Sequence, residues 1–145
     1  MNKSGEGIDT LLKAHSDALS RALLALQFVE ECMRMYLGHC YGIITARVAN
    51  VFVYSRTYAD IRKKSMGQLL QEFRQFCGDQ ELVSSINALV KDRNFCAHEA
   101  FLLTIEEMRD ATHLVGAIEK ILDIHKRADA CLRRVLAVGQ AIQNS

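Results

Sequence analysis

The residues with the most chemistry to offer stand together as Arg93-Asn94-Phe95-Cys96-Ala97-His98. An arginine presents a fixed fork of N–H donors that fits phosphate oxygens. An imidazole titrates near neutrality and can take up or give back a proton. The pair, with an amide beside the arginine, is a set of parts for charge stabilisation and proton transfer at a phosphate. Spacing alone does not make the case. With eleven arginines and five histidines, about one Arg-x4–6-His match is expected by chance in a chain this long. Arg34-Met35-Tyr36-Leu37-Gly38-His39 repeats the same spacing.

Context separates the two matches. Leu12, Leu19, Leu23, Leu26, Val29, Met33 and Tyr36 recur at steps of three and four, which predicts a first helix. Asp9 suits its N-cap and Gly38 its stop, with residues 1–8 frayed. On that reading Arg34 and His39 lie at a helix end and complement its dipole and free carbonyls. Arg93 and His98 instead close an amphipathic helix just before a short connection. On a straight helix residues five apart diverge by about 140°, whereas Asn94 and His98, four apart, share a face. Asn94 is therefore expected to orient the imidazole. Arg93 must reach round, or the helix must loosen, or two copies must meet. The plainer alternative pairs Arg93 with Asp92 and leaves His98 solvated.

The elements that position these residues are all helical. A second helix is expected from about Tyr41 to Lys63, although Val51-Phe52-Val53-Tyr54 is β-prone in isolation. Ser65 caps a third helix, from Met66 to about Phe76, which ends at Gly78. Asp79 caps a fourth, with Leu82, Val83, Ile86, Leu89 and Val90 on one side. Thr104-Ile105-Glu106-Glu107 reads as a capping box. It opens a long last helix, with an apolar stripe of Met108, Ala111, Val115, Ile118, Leu122, Leu132, Val135 and Leu136, that can reach Gln143 and can break near Lys126-Arg127. The fold class that follows is all-α, an antiparallel four- or five-helix bundle in one domain spanning 1–145. The excess apolar surface of the last helix suggests a dimer seam.

Composition sets the outer limits. The 145 residues contain no proline and no tryptophan, which favours long uninterrupted helices. Eighteen basic against seventeen acidic residues give a net charge of +1, so any nucleic-acid contact must come from a local patch. Arg62-Lys63-Lys64 is the candidate for such a patch; a solvated helix end is the simpler reading of the same run. Lys126-Arg127 and Arg133-Arg134 carry the same ambiguity. Tyr54 and Tyr58, four apart, could stack bases or pack a core. The five cysteines follow no disulfide or zinc spacing, which points to a reducing, cytoplasmic setting without a metal or other cofactor. No apolar run is long enough for a membrane span.

The RNFCAH stretch, at the end of a helical domain of this size, resembles the Arg-x4–6-His motif of the HEPN superfamily, in which a polar residue, frequently asparagine, follows the arginine. Ser65-Met66-Gly67-Gln68-Leu69-Leu70 resembles the helix start that precedes the motif in some bacterial members. The resemblance implies a dimerising helical bundle with a composite site where two motifs meet. It implies a metal-independent endoribonuclease of toxin–antitoxin, phage-defence or CRISPR systems, with RNA as substrate and a cognate antitoxin as partner; some members only bind. His98 would act as general acid/base, Arg93 as phosphate clamp and Asn94 as orienter, leaving a 2′,3′-cyclic phosphate and a 5′-hydroxyl. Members paired with a nucleotidyltransferase can carry a modified tyrosine two positions after the histidine; here that position is Ala100.

Overall fold

The computed structural model describes residues 3–144, which form an all-helical bundle with no strand among them. Two long helices, α1 (Lys3–Val48) and α6 (Ala111–Gln143), lie side by side. Between them in sequence come α2 (Tyr58–Ile61), α3 (Met66–Phe76), α4 (Gln80–Asn94), a π-helical turn (Phe95–Glu99) and α5 (Ile105–Met108). Asp92 pairs with Arg127 and Asp79 with Arg134, so α4 runs antiparallel to α6. His15 is within electrostatic reach of His113, while Gln143 Nε2 lies 2.6 Å from His39 Nε2, so α1 and α6 run the same way. The core fills the space among α1, α3, α4 and α6. Leu26, Val29, Met33 and Leu37 face Leu69, Phe73, Ile86, Leu89, Ile121 and Ile124, all fully buried.

The first two expected helices are largely one. Helix α1 is already formed at Lys3, so Asp9 is no N-cap and residues 3–8 are helical; Met1 and Asn2 lie outside the described residues. The chain also does not stop at Gly38. Tyr58 packs over Gly38, where an added Cβ would stand 3.4 Å from Tyr58 Cβ, an ordinary contact. Past Val48 the expected second helix fails, and residues 52–57 are irregular. Val51, Phe52 and Val53 are 78, 55 and 93% exposed, so no packing overrides their poor helix preference.

The middle caps fall where the sequence puts them. Gln68 and Ser65 bond each other reciprocally at the start of α3, and the Leu82 N–H donates to Asp79 Oδ1 at 3.0 Å. The Thr104–Glu107 capping box also forms, but it opens only the single turn of α5. Asp110 then captures the His113 N–H at 3.1 Å and starts α6 anew, six residues later than expected. Helix α6 runs unbroken past Lys126-Arg127, where Arg127 bridges Asp123 and Asp92. Its buried stripe is Leu114, Ile121, Ile124, Ala128, Cys131 and Val135, one position round from much of the expected one. Val115, Leu122 and Leu136 consequently face outward. No described helix is long and apolar enough to cross a membrane.

His15 is 4% exposed, and its Nε2 has no hydrogen-bond partner among the described residues. Burial first, and the neighbouring His113 second, hold its pKa below 6.5. The folded state keeps this imidazole neutral, whereas the unfolded chain protonates it near the ordinary value. Its contribution is therefore intact above about pH 6.5 and is lost as pH falls below it. Urea midpoints at pH 7.5 and pH 5.5 should show wild-type stability dropping on acidification, with a smaller drop in His15→Leu. An equal drop in both would show that His15 is not responsible.

Candidate functional site

Arg93 sits in the last turn of α4, and its partner is not Asp92. Asp92 is taken by Arg127 Nη1 at 2.6 Å. Arg93 Nε donates instead to Glu30 Oε1 on α1, 63 residues away. Glu30 is only 5% exposed. A carboxylate so placed must be paired, because an isolated buried charge costs several kcal/mol. It also receives Arg34 Nη2 at 3.4 Å. Arg34 bonds Glu31 at 3.3 Å and the Lys64 carbonyl at 2.8 Å. Two arginines and two glutamates thus lock α1, α4 and the loop after α2 into one register. The Arg93 side chain remains one-third exposed, with its Nη groups free of any partner among the described residues.

Arg34 therefore does not complement a helix end. It lies within α1 as a half-buried clamp, and the expectation for it was wrong because α1 does not end at Gly38. His39 is also mid-helix, against Gln143.

His98 lies on the π turn and is exposed. The turn closes with the Ala100 N–H donating to the Phe95 carbonyl at 2.9 Å, one residue further along than an α-helical bond. The helix is widened between Arg93 and His98, while Arg93 itself is turned to Glu30. The turn is anchored on both sides. Cys96 and Ala100 are buried, and Lys120 of α6 places its ammonium 3.7 Å from the centre of the Phe95 ring. Burial pushes the Cys96 thiol up to about 11, so it serves as core and not as a nucleophile. Asn94 is exposed, and no hydrogen bond joins it to His98; the orienting contact expected from the four-residue spacing is not made within the chain.

The basic run lies close by. Arg62 and Lys63 are exposed on the turn after α2, and Lys64 is half-buried. Through its carbonyl Lys64 holds Arg34, and through Nζ it bonds Glu72 at 2.6 Å. Glu72 also accepts from Arg56 and from the Tyr41 hydroxyl. Burial alone would raise the Glu72 carboxyl, but the bonds from Lys64 and Tyr41 and the two cations hold it below the usual range. Burial, then the bond to Glu72, pushes Tyr41 up to about 12. Among the described residues no three or more His, Cys, Asp or Glu side chains gather as a metal site would require.

Glu30 and Glu72 escaped the sequence reading. Glu30-x3-Arg34 is a favourable helical pair that sequence can show. Its long-range partner Arg93 leaves no local signal.

Glu30→Gln keeps the shape but removes the charge that both arginines share. It should cost about 2–4 kcal/mol, below the full penalty for a broken buried pair because Arg93 is partly solvated. Arg93→Gln should also destabilise, and the double variant should lose less than the sum, by about 1–2 kcal/mol in a denaturation cycle. Additive losses would show that the two side chains do not support each other.

Comparison with protein-family models, with curated proteins and with solved structures gives no match to this chain.

Proposed function

We propose that the chain is a metal-independent endoribonuclease of HEPN type, acting as a toxin or defence effector. The observation that carries this reading is the π turn beside an arginine held from behind. Glu30 fixes Arg93 by Nε while its outer N–H edge stays open, and the exposed His98 follows on the widened turn. In the proposed reaction the imidazole takes the proton of a ribose 2′-hydroxyl. The resulting oxygen attacks the adjacent phosphorus, the bond from phosphorus to the 5′-oxygen of the next nucleotide breaks, and the imidazolium returns the proton to that oxygen. Arg93 holds the non-bridging oxygens as charge builds on them. The products are a 2′,3′-cyclic phosphate and a 5′-hydroxyl. Arg62 and Lys63 extend the positive surface along which an RNA strand would run.

Asn94 makes no hydrogen bond to its own histidine, which fits a role across a two-fold axis, where the second copy's motif completes the site. Leu24 and Phe28 of α1 and Val115 and Leu122 of α6 are 43–51% exposed large apolar side chains of the kind a dimer covers. Those same side chains favour a second reading, a non-catalytic helical module that binds a partner such as a cognate antitoxin.

Two measurements separate these readings. Incubation of a mixed-sequence RNA with the protein in EDTA should give cleavage, and His98→Ala should lower the rate about 10²–10³-fold while the helical circular-dichroism signal is unchanged. Cleavage that persists in His98→Ala removes the mechanism, and no cleavage by the wild type supports the binding module. Sedimentation at micromolar concentration should give twice the 16.3 kDa chain mass, and Phe28→Glu should return it to the single-chain value. A single-chain mass for the wild type at every concentration would contradict the composite site.

A further inference from the structure

One pole of the molecule is apolar where a chain that doubles back is ordinarily polar. His39 lies against Gln143 at the end of α6, and α1 continues for nine residues to Val48, about 13 Å further. The chain then returns through residues 49–57 to Tyr58, which packs over Gly38. At the tip of this excursion Val51, Phe52 and Val53 are 78, 55 and 93% exposed. Single exposed apolar side chains are normal on a protein surface. Three in succession with nothing over them are a defect unless they have a use.

Their exposure is held in place from both sides. The N–H groups of Val51 and Phe52 donate to the Val48 carbonyl at 2.8 and 3.0 Å. Beyond them Thr45 Oγ1 donates to the Tyr54 carbonyl at 3.2 Å, and the Tyr54 ring lies 6.4 Å from that of Tyr41. Arg56 lies over the same Tyr41 ring and pairs with Glu72. Both ends of the segment are thus tied to α1 or its neighbours, and the three apolar side chains between them are left outside.

Direction and charge say what covers them. Consecutive side chains diverge, by about 100° on a helix and about 180° on a strand, so a flat partner that covers one leaves the next in water. A medium that closes round the tip covers all three. The sequence holds no Asp or Glu between Glu31 and Asp60, and none from Ala130 to Ser145. Asp60 is engaged by the Thr57 N–H at 2.8 Å, and Glu72 is shared by Arg56, Lys64 and Tyr41. Arg47 is exposed in the last turn of α1 and enters no ion pair among the described residues. An apolar tip beside an unpaired cation, with no free carboxylate, is the complement of an anionic lipid surface. We propose that this pole docks on an anionic bilayer, with Val51, Phe52 and Val53 entering the boundary between headgroups and acyl chains and Arg47 meeting lipid phosphates. The contact is superficial, since no described helix is long and apolar enough to cross. Glu30, which holds Arg93, precedes Val48 by 18 residues, about 27 Å along α1. Docking therefore leaves Arg93 and His98 in water, and the proposal does not depend on their being catalytic.

The chain has no tryptophan, so Phe52→Trp places a single indole at the tip. The test titrates that variant with vesicles of equal parts phosphatidylcholine and phosphatidylglycerol, and with vesicles of phosphatidylcholine alone. A saturable blue shift of its emission is expected with the mixed vesicles, and a weaker response with the neutral ones. Co-sedimentation of the wild type with the mixed vesicles should fall about fivefold in affinity in Arg47→Gln. It should fall about tenfold or more when Val51, Phe52 and Val53 are together replaced by serine, with the helical circular-dichroism signal unchanged. Absence of binding to mixed vesicles up to about 1 mM lipid overturns the proposal. So does undiminished binding by the folded triple-serine variant, or binding that leaves the indole emission unshifted. Emission already shifted without vesicles, and shifting further with protein concentration, would assign the tip to a second copy and equally overturn it. Whether the chain cuts RNA enters neither readout.

Discussion

A single carboxylate inside the bundle constrains most of what surrounds it. Glu30 sits on the inward side of α1 beside Val29 and Met33, where an unpaired charge would cost more than the stability margin of a typical domain can spare. The bundle is therefore stable only in registers that deliver cations to that point. Arg93 arrives from the end of α4 and Arg34 from the next turn of α1, and Arg34 brings the Lys64 carbonyl with it. The same requirement that satisfies a buried acid fixes the direction of the arginine on which the proposed chemistry depends. A side chain held at Nε by a neighbour that cannot move away is preorganised, which is where electrostatic catalysis draws its advantage.

This arrangement carries a cost for binding a polyanion. The two arginines nearest the motif are formally neutralised by the two glutamates, so positive potential must come from elsewhere. Arg62 and Lys63 lie exposed on the neighbouring turn, and Arg56 and Lys64 share the single carboxylate of Glu72. With a net charge of +1 over the whole chain, attraction of RNA would be local, modest and sensitive to salt. Positioning and charge are thus divided: one cluster sets geometry, and the adjoining surface supplies field.

Much of the fold was legible because local rules act within a few residues. Ser65, Asp79 and Thr104 cap helices where their side chains reach back N–H groups three residues on, and the apolar face of α4 follows its three-and-four spacing. Local rules misled where packing decided. Gly38 has the signature of a helix stop, yet α1 runs on through it to Val48 with Tyr58 packed against it. Asp110, within what looked like one helix, wins the His113 N–H and makes a second start. Arg93 and His98 were legible as candidates in residue type and spacing. Glu30 and the π turn were not, because the first is tied to Arg93 across 63 residues and the second depends on Cys96 and Ala100 being buried against neighbouring helices.

The proposed chemistry activates a ribose hydroxyl against its own phosphate, and the ends of a cleaved strand would report on it directly. Mass spectrometry of fragments from a defined oligoribonucleotide should show a 2′,3′-cyclic phosphate on the upstream fragment and a 5′-hydroxyl on the downstream one. Replacing the ribose at the cut position by 2′-deoxyribose should stop cleavage there. A 5′-phosphate on the downstream fragment, or undiminished cutting at the deoxy position, would mean that water or another group attacks the phosphorus, and the roles given to His98 and Arg93 would be wrong.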